Sequence, residues 1–245
     1  MKTLPSFDLD KIKLTTDGST FEKAVGLYES DKVTQFKEGI GSYSAIVLGT
    51  KPYRVSVNVR HYDLGFCECY LGQNDTLCKH MVVVSIYAVM RGKKLTDEDK
   101  KLISNPICSG KLGTLNKNEL AITKKTISGA MRYIKPYHGP SRIWFAYQNS
   151  LFEGCNRLSK IISDLPVSSQ TAELLMDMLL NLDDRLCRGG IDDSDGTVGG
   201  FIEETVSVLE EYTRLDPSCA DAFDKLRGKE TSFGWEKPLL ELIQK

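Results

Sequence analysis

The stretch CECYLGQNDTLCKH, residues 67–80, gathers three of the seven cysteines and one of the three histidines of the chain. Thiolate and imidazole are preferred zinc donors, and a structural zinc takes four of them in a tetrahedron. Cys67, Cys69, Cys78 and His80 supply that number. Two apart in an extended segment, Cys67 and Cys69 point to the same side. Cys78 and His80 share that spacing, but inside an α-helix it would turn them about 200° from each other. The second pair is therefore expected in the turn entering the next helix. The intervening YLGQNDTL contains Gly72, Asn74 and Asp75 and suits a loop. Four protein donors leave no position for a reacting water, so the expected role of Zn2+ is structural. His80 would bind as neutral imidazole, oriented by a hydrogen bond from its second nitrogen.

Other chemistry finds less support. Glu68 and Asp75 lie beside the donors but read as solvated loop charges, and the H-x-E with P-C-x-x-C pattern of zinc deaminases is absent. Neither G-x-S-x-G nor G-x-x-x-x-G-K-[ST] occurs. In IDDSDGTVGG an EF-hand alignment would put Ile191 and Ile202 at the first and twelfth ligand positions, so a turn and helix start explain it better. His61 is a second-choice zinc donor, and His138 in KPYHGP reads as turn chemistry. No catalytic residue and no small-molecule substrate emerge, and the chain reads as a non-enzyme. Lys51, Arg54, Arg60, Lys79, Arg91, Lys93 and Lys94 flank the cluster in sequence, with Tyr53, Tyr62 and Tyr70 among them. Such residues suit phosphate contacts and base stacking, so nucleic acid is one candidate partner.

These donors need elements to hold them. Ser19 and Glu22 have capping-box spacing, and Phe21, Ala24, Leu27 and Tyr28 share a helical face, which predicts a helix over 20–30. In SYSAIVLGTKPYRVSVNVRHY two β-rich runs, 42–48 and 53–62, flank Gly49-Thr50-Lys51-Pro52. Val55, Val57 and Val59 alternate with polar residues, so an antiparallel hairpin with one buried face is expected, joined by a shorter strand at 33–37. After His80, MVVVSIYAVM predicts a helix apolar all round and hence buried, ending at Arg91-Gly92. Such a helix cannot read a DNA groove, which would require polar side chains facing the bases. DNA contact would then come from the hairpin, the spacer or residues 91–94, without sequence specificity.

The order of hairpin, CxC, spacer, CxH and apolar helix resembles the SWIM zinc finger family. The matching stretch is VSVNVRHYDLGFCECYLGQNDTLCKHMVVVSIYAVM, with Cys67, Cys69, Cys78 and His80 at the family's ligand positions. Upstream, Phe21 to Val59 looks like the fold that commonly precedes the motif, so the resemblance covers residues 21–91. More loosely, GGIDDSDGTVGGFIEETVSVLEEYTRLDPSCA is similar to the helical tail of some bacterial SWIM-finger proteins. The resemblance implies a zinc-dependent interaction module, linked to DNA or protein binding, and no particular reaction.

From 119 onward the periodicity is helical. Trp144, Tyr147, Leu151, Leu158 and Ile162 fit one long helix stopped by Pro166. Leu174 to Leu186 fit a second ending at Gly189-Gly190, and Val198 to Tyr212 a third, with shorter helices near 219–227 and 238–244. Trp144, Phe145 and Tyr147 could face a protein partner, although such a stripe usually packs a core. The expected fold class is α+β: a small antiparallel sheet with a zinc site and flanking helices, then an all-α domain. The boundaries read as 1–92 for the zinc-binding domain, 93–118 for a linker and 119–245 for the helical domain. Residues 1–140 carry 21 Lys and Arg against 14 Asp and Glu, and residues 141–245 carry 11 against 19. A basic front and an acidic back suit two modules with different partners, protein or nucleic acid. No apolar run is long enough to span a bilayer, the N-terminus lacks a signal core, and the scattered cysteines suit a reducing cytoplasm.

Overall fold

The structure is a computed structural model that describes residues 4–102, 105–140 and 144–243, with the side chains of Phe145 and Ala146 outside the description. It is α+β, with a four-stranded antiparallel sheet and flanking helices at the N-terminus and a helical C-terminal region. The chain divides into two compact units, 1–102 and 103–245. The segment 93–118 is shared between them. Leu95 is buried in the first core, whereas Leu112 forms a β-bridge to Val167 in the second.

The first unit begins with α1 (Leu9–Thr15) and α2 (Gly18–Glu29). The start of α2 is set by Asp17, whose carboxylate accepts from the Thr20 N–H at 2.9 Å, not by the Ser19–Glu22 pair. Asp precedes Ser19 and caps at least as well, so the helix gains two residues. Strands β1 (Val33–Glu38), β2 (Ser42–Leu48), β3 (Pro52–Asn58) and β4 (Gly65–Cys67) follow as a meander in the order β1-β2-β3-β4. Between Thr34 and Lys37 the β1–β2 register shifts, and Gln35 takes a positive φ of 50° there. This bulge turns Phe36 inward against Tyr43 and leaves Lys37 opposite Ser44 on the outer face.

Tyr43, Ala45, Val47, Val55 and Val57 form the buried face of the sheet. Against it lies α4 (Lys79–Met90), which also packs on α1 and α2. Met81 to Ile86 are all buried, as the all-round apolar sequence requires. Its one buried hydroxyl, that of Ser85, donates to the Met81 carbonyl at 2.9 Å. Arg91 caps the helix in the left-handed region, at φ 54°, followed by Gly92 at φ 78°. The single-turn α5 (Asp97–Lys100) closes the unit with a Thr96 capping box.

The second unit contains α6 (Lys117–Ala130), α7 (Trp144–Asp164), α8 (Ser169–Cys187), α9 (Thr197–Leu215), 3-10 turns at Pro217–Leu226 and Ser232–Gly234, and α10 (Lys237–Ile243). Leu151, Leu158, Ile162, Leu175, Leu179 and Leu209 are fully buried in its core. The acidic loop 192–195 serves the helices. Asp193 accepts from the Val198 and Gly199 N–H groups at 2.7 and 2.8 Å, capping α9, and Asp192 accepts from the Trp144 indole at 2.9 Å. Tyr147 is buried, and its hydroxyl accepts from the Asp192 N–H, so Trp144 and Tyr147 act within the fold. Among the described residues, no helix is long and apolar enough to cross a membrane.

Candidate metal centre

Three elements converge on the four donors. Cys67 ends β4, opposite Val55 of β3. Cys69 is the N-cap of a single helical turn, α3 (Tyr70–Gln73), where a loop had been expected. Cys78 is the N-cap of α4 with extended backbone, φ −125° and ψ 160°, and its side chain makes no cap hydrogen bond. That frees its sulfur to face the other donors. His80 lies inside the first turn of α4, not in the turn before it. The helical-spacing argument therefore applies to only one member of the pair: an extended Cys78 beside a helical His80 lets both point the same way.

The donor atoms of Cys67, Cys69, Cys78 and His80 all lie within 4.8 Å of one another and could hold a metal ion. His80 Nδ1 is 3.7 Å from the Cys67 sulfur and 3.9 Å from that of Cys78. A zinc tetrahedron built from ordinary bond lengths has sulfur–nitrogen edges of about 3.6 Å and sulfur–sulfur edges of about 3.8 Å. The two edges from His80 Nδ1 lie within about 0.3 Å of the sulfur–nitrogen value, and the remaining edges are no longer than 4.8 Å. Cys67, Cys78 and His80 are buried and Cys69 is partly exposed. His61 is exposed and lies outside the cluster.

Electrostatics prepare the sulfurs for a cation. The Cys69 N–H donates to the Cys67 sulfur at 3.4 Å, and the Gly72 N–H donates to the Cys69 sulfur at the same distance. Cys67 and Cys78 are hydrogen-bonded to each other, so the first proton leaves the two sulfurs early and the second late. The hydrogen bond from Cys67, helped by His80, holds the Cys78 thiol well below its ordinary value. Its counterpart and burial push Cys67 up.

Residues outside the donor set shape this cage. The Tyr53 ring stacks on that of His80 with centroids 4.4 Å apart and planes 25° apart. His80 Nε2 is buried and, among the described residues, has no hydrogen-bond partner. Among the described residues the Tyr53 ring packs on the imidazole, and no protein group accepts the hydrogen bond expected from its second nitrogen. A Cβ at Gly49 would lie 3.1 Å from the Tyr53 ring and 3.5 Å from Nε2, so the β2–β3 turn closes tightly over this pair. Gly72 matters in the same way. A Cβ there would sit 2.4 Å from Cys67 Cβ and 2.6 Å from its carbonyl oxygen. In the sequence Gly72 signalled only a turn, since close backbone approach leaves no other trace.

Comparison with family models, with curated proteins and with solved structures finds no match to this chain. Its chemistry must therefore be read from the site.

The seven basic residues do not form one patch. Lys51 lies over the Tyr53 ring at 5.6 Å and Lys79 sits in the first turn of α4, so both belong to the metal end. Arg54 is exposed on β3, its N–H bonded to the Glu68 carboxylate at 3.0 Å. Arg60 is exposed beyond β3. Twelve residues of α4 separate the metal end from Arg91, about 18 Å of helix. Arg91 pairs with Glu38 and covers the Phe36 and Tyr43 rings at 5.9 and 5.8 Å, so its charge serves the fold. Lys93 and Lys94 line a cleft of about 570 Å³ with Tyr28, Tyr87 and Lys100, where α2 and α4 both end. Lysines there offset two helix C-terminal dipoles.

Proposed function

We propose that this chain is a zinc-binding interaction module of the SWIM type, with a structural and not a catalytic metal. The observation that carries this reading is the cage itself, four soft donors close enough to enclose one ion. Three thiols and an imidazole favour zinc over calcium or magnesium, which take oxygen ligands. Hairpin, CxC, CxH and buried helix occur in the order that the SWIM resemblance implies. Cys67 and Cys69 would hold the ion from β4 and the start of α3, with Cys78 and His80 holding it from the start of α4. Bound there, zinc supplies a cross-link between the sheet edge and the central helix. The rest of the module presents surfaces to a partner, protein or nucleic acid, and performs no reaction.

Cobalt substitution tests this reading. The cobalt-loaded chain should show a tetrahedral thiolate spectrum at one ion per chain, unchanged by added azide. A spectrum that shifts with azide would reveal an open coordination position and overturn the structural role.

A further inference from the structure

The sheet has two faces, and the helices occupy one. Register places Lys37, Ser44, Ser56 and Phe66 in a row across all four strands on the other face, with Ile46 and Arg54 paired in the next row. Neighbouring strands lie about 4.8 Å apart, so the four-residue row is about 14 Å wide. Phe66 keeps 53% of its surface exposed, an unusual position for a phenylalanine on a strand. Lys37 and Arg54 are exposed, and among the described residues neither makes an ion pair. Glu68 turns its carboxylate onto the Arg54 N–H, and Glu38, beside Lys37 in the chain, pairs with Arg91.

We infer that this outer sheet face binds single-stranded nucleic acid, with a base stacked on Phe66 and phosphates on Lys37 and Arg54. The inference rests on the reading of the chain as an interaction module and names its partner. The chemistry selects the occupant. Two unpaired cations attract a polyanion, the serine hydroxyls between them can bond base edges, and an exposed aromatic ring offers a stacking surface. A protein-binding core would instead surround Phe66 with apolar anchors, and here its row holds Lys37, Ser44 and Ser56, with Ile46 half-buried and Leu48 at the far end of β2. Strand number selects itself by geometry. A face about 14 Å wide exceeds a major groove of about 12 Å, and a base can stack on Phe66 only when it has left its own helix. Phe66 directly precedes the donor Cys67, so a metal that fixes β4 also fixes the stacking ring.

The test is fluorescence anisotropy of a labelled single strand of about ten nucleotides against the zinc-loaded full chain, at about 50 and about 200 mM salt. Wild type should bind, and bind the matching duplex more weakly. Phe66→Ala should weaken binding about tenfold or more, while Phe66→Tyr retains it. Lys37→Gln with Arg54→Gln should weaken binding and flatten the salt dependence by about 1.4 in log–log slope, about 0.7 for each lost phosphate contact. Metal content and circular dichroism, unchanged in all variants, show that the fold is intact. Absence of binding at the lower salt, equal binding of duplex, or wild-type affinity in both the Phe66→Ala and the charge variants would overturn the inference. The azide-insensitive cobalt spectrum would still stand in that event, separating this failure from failure of the module reading.

Discussion

Tyr53 and His80 lie face to face, their ring centroids 4.4 Å apart, although they stand 27 positions apart in the chain. The contact joins the β2–β3 hairpin to the first turn of α4 and covers an imidazole whose Nε2 has no hydrogen-bond partner among the described residues. Tyr53→Ala should therefore speed metal loss to a chelator by about tenfold, the low end of the effect of removing an outer-shell partner. Tyr53→Phe keeps the ring and gives up only the hydroxyl contact to Thr50, so it should lose metal at the wild-type rate. Equal rates for all three proteins would show that stacking does not hold the imidazole.

Cys78 occupies a position where both chain geometry and ligation depend on one side chain. Cys78→Ser removes a donor between α4 and β4 and should release the metal. Structural zinc contributes on the order of 10 kcal/mol, comparable to the entire stability of a small domain. Residues 1–102 should then become protease-sensitive while residues 103–245 stay resistant, because the two units have separate cores. Retained metal, or digestion of both units together, would contradict this expectation.

Gly72 gives a sharper test, since it is no ligand. Gly72→Ala would force its new methyl into Cys67 Cβ and the Cys67 carbonyl, and backbone can yield only by moving the donor. Overpacking of this kind costs about 1–3 kcal/mol. The expected result is a metal affinity lowered about tenfold or more in competition with a chelating dye, with all four donors still present. An unchanged affinity would mean that the turn relaxes away from Cys67.

Alternation and donor spacing in the sequence reveal the sheet, the central helix and the four donors. Val55 and Val57 face inward on β3 as their period requires, and the run from Met81 to Ile86 is buried as its lack of polarity requires. Features set by a choice between near-equivalent local signals, or by contacts distant in sequence, were not legible. The choice of Asp17 over Ser19 as cap turned on which of two adequate residues met the helix, and α1 was too short for its period to register. The bulge at Gln35, which decides that Lys37 faces outward, has no glycine to announce it. Tyr53 stood out as an aromatic among basic residues, yet its partner is an imidazole in the metal cage. Lys93 and Lys94 follow soon after the Cys/His cluster in sequence, and a helix about 18 Å long carries them away from it.

The cysteines outside the cage separate by environment, and that separation gives a pH dependence. Cys187 is exposed, Cys155 and Cys219 are buried, and burial pushes both buried thiols up, Cys219 to about 11 from an ordinary value of 9.0. Near pH 8 a thiol reagent should therefore modify Cys187 in the native protein and reach Cys155 and Cys219 only on unfolding. The same displacement affects stability at higher pH. Between about 9 and about 11 the unfolded chain releases the Cys219 proton while the folded chain keeps it, so the unfolded state binds fewer protons and stability falls as pH rises. At full separation each pH unit in that window costs about 1.4 kcal/mol, and below it the thiol is protonated in both states and contributes nothing. Thermal unfolding of the second unit should lose stability through this range, and Cys219→Ala should shift the whole curve downward by a cavity cost while flattening its slope. A Cys219→Ala curve parallel to wild type across that range would place the titrating group elsewhere.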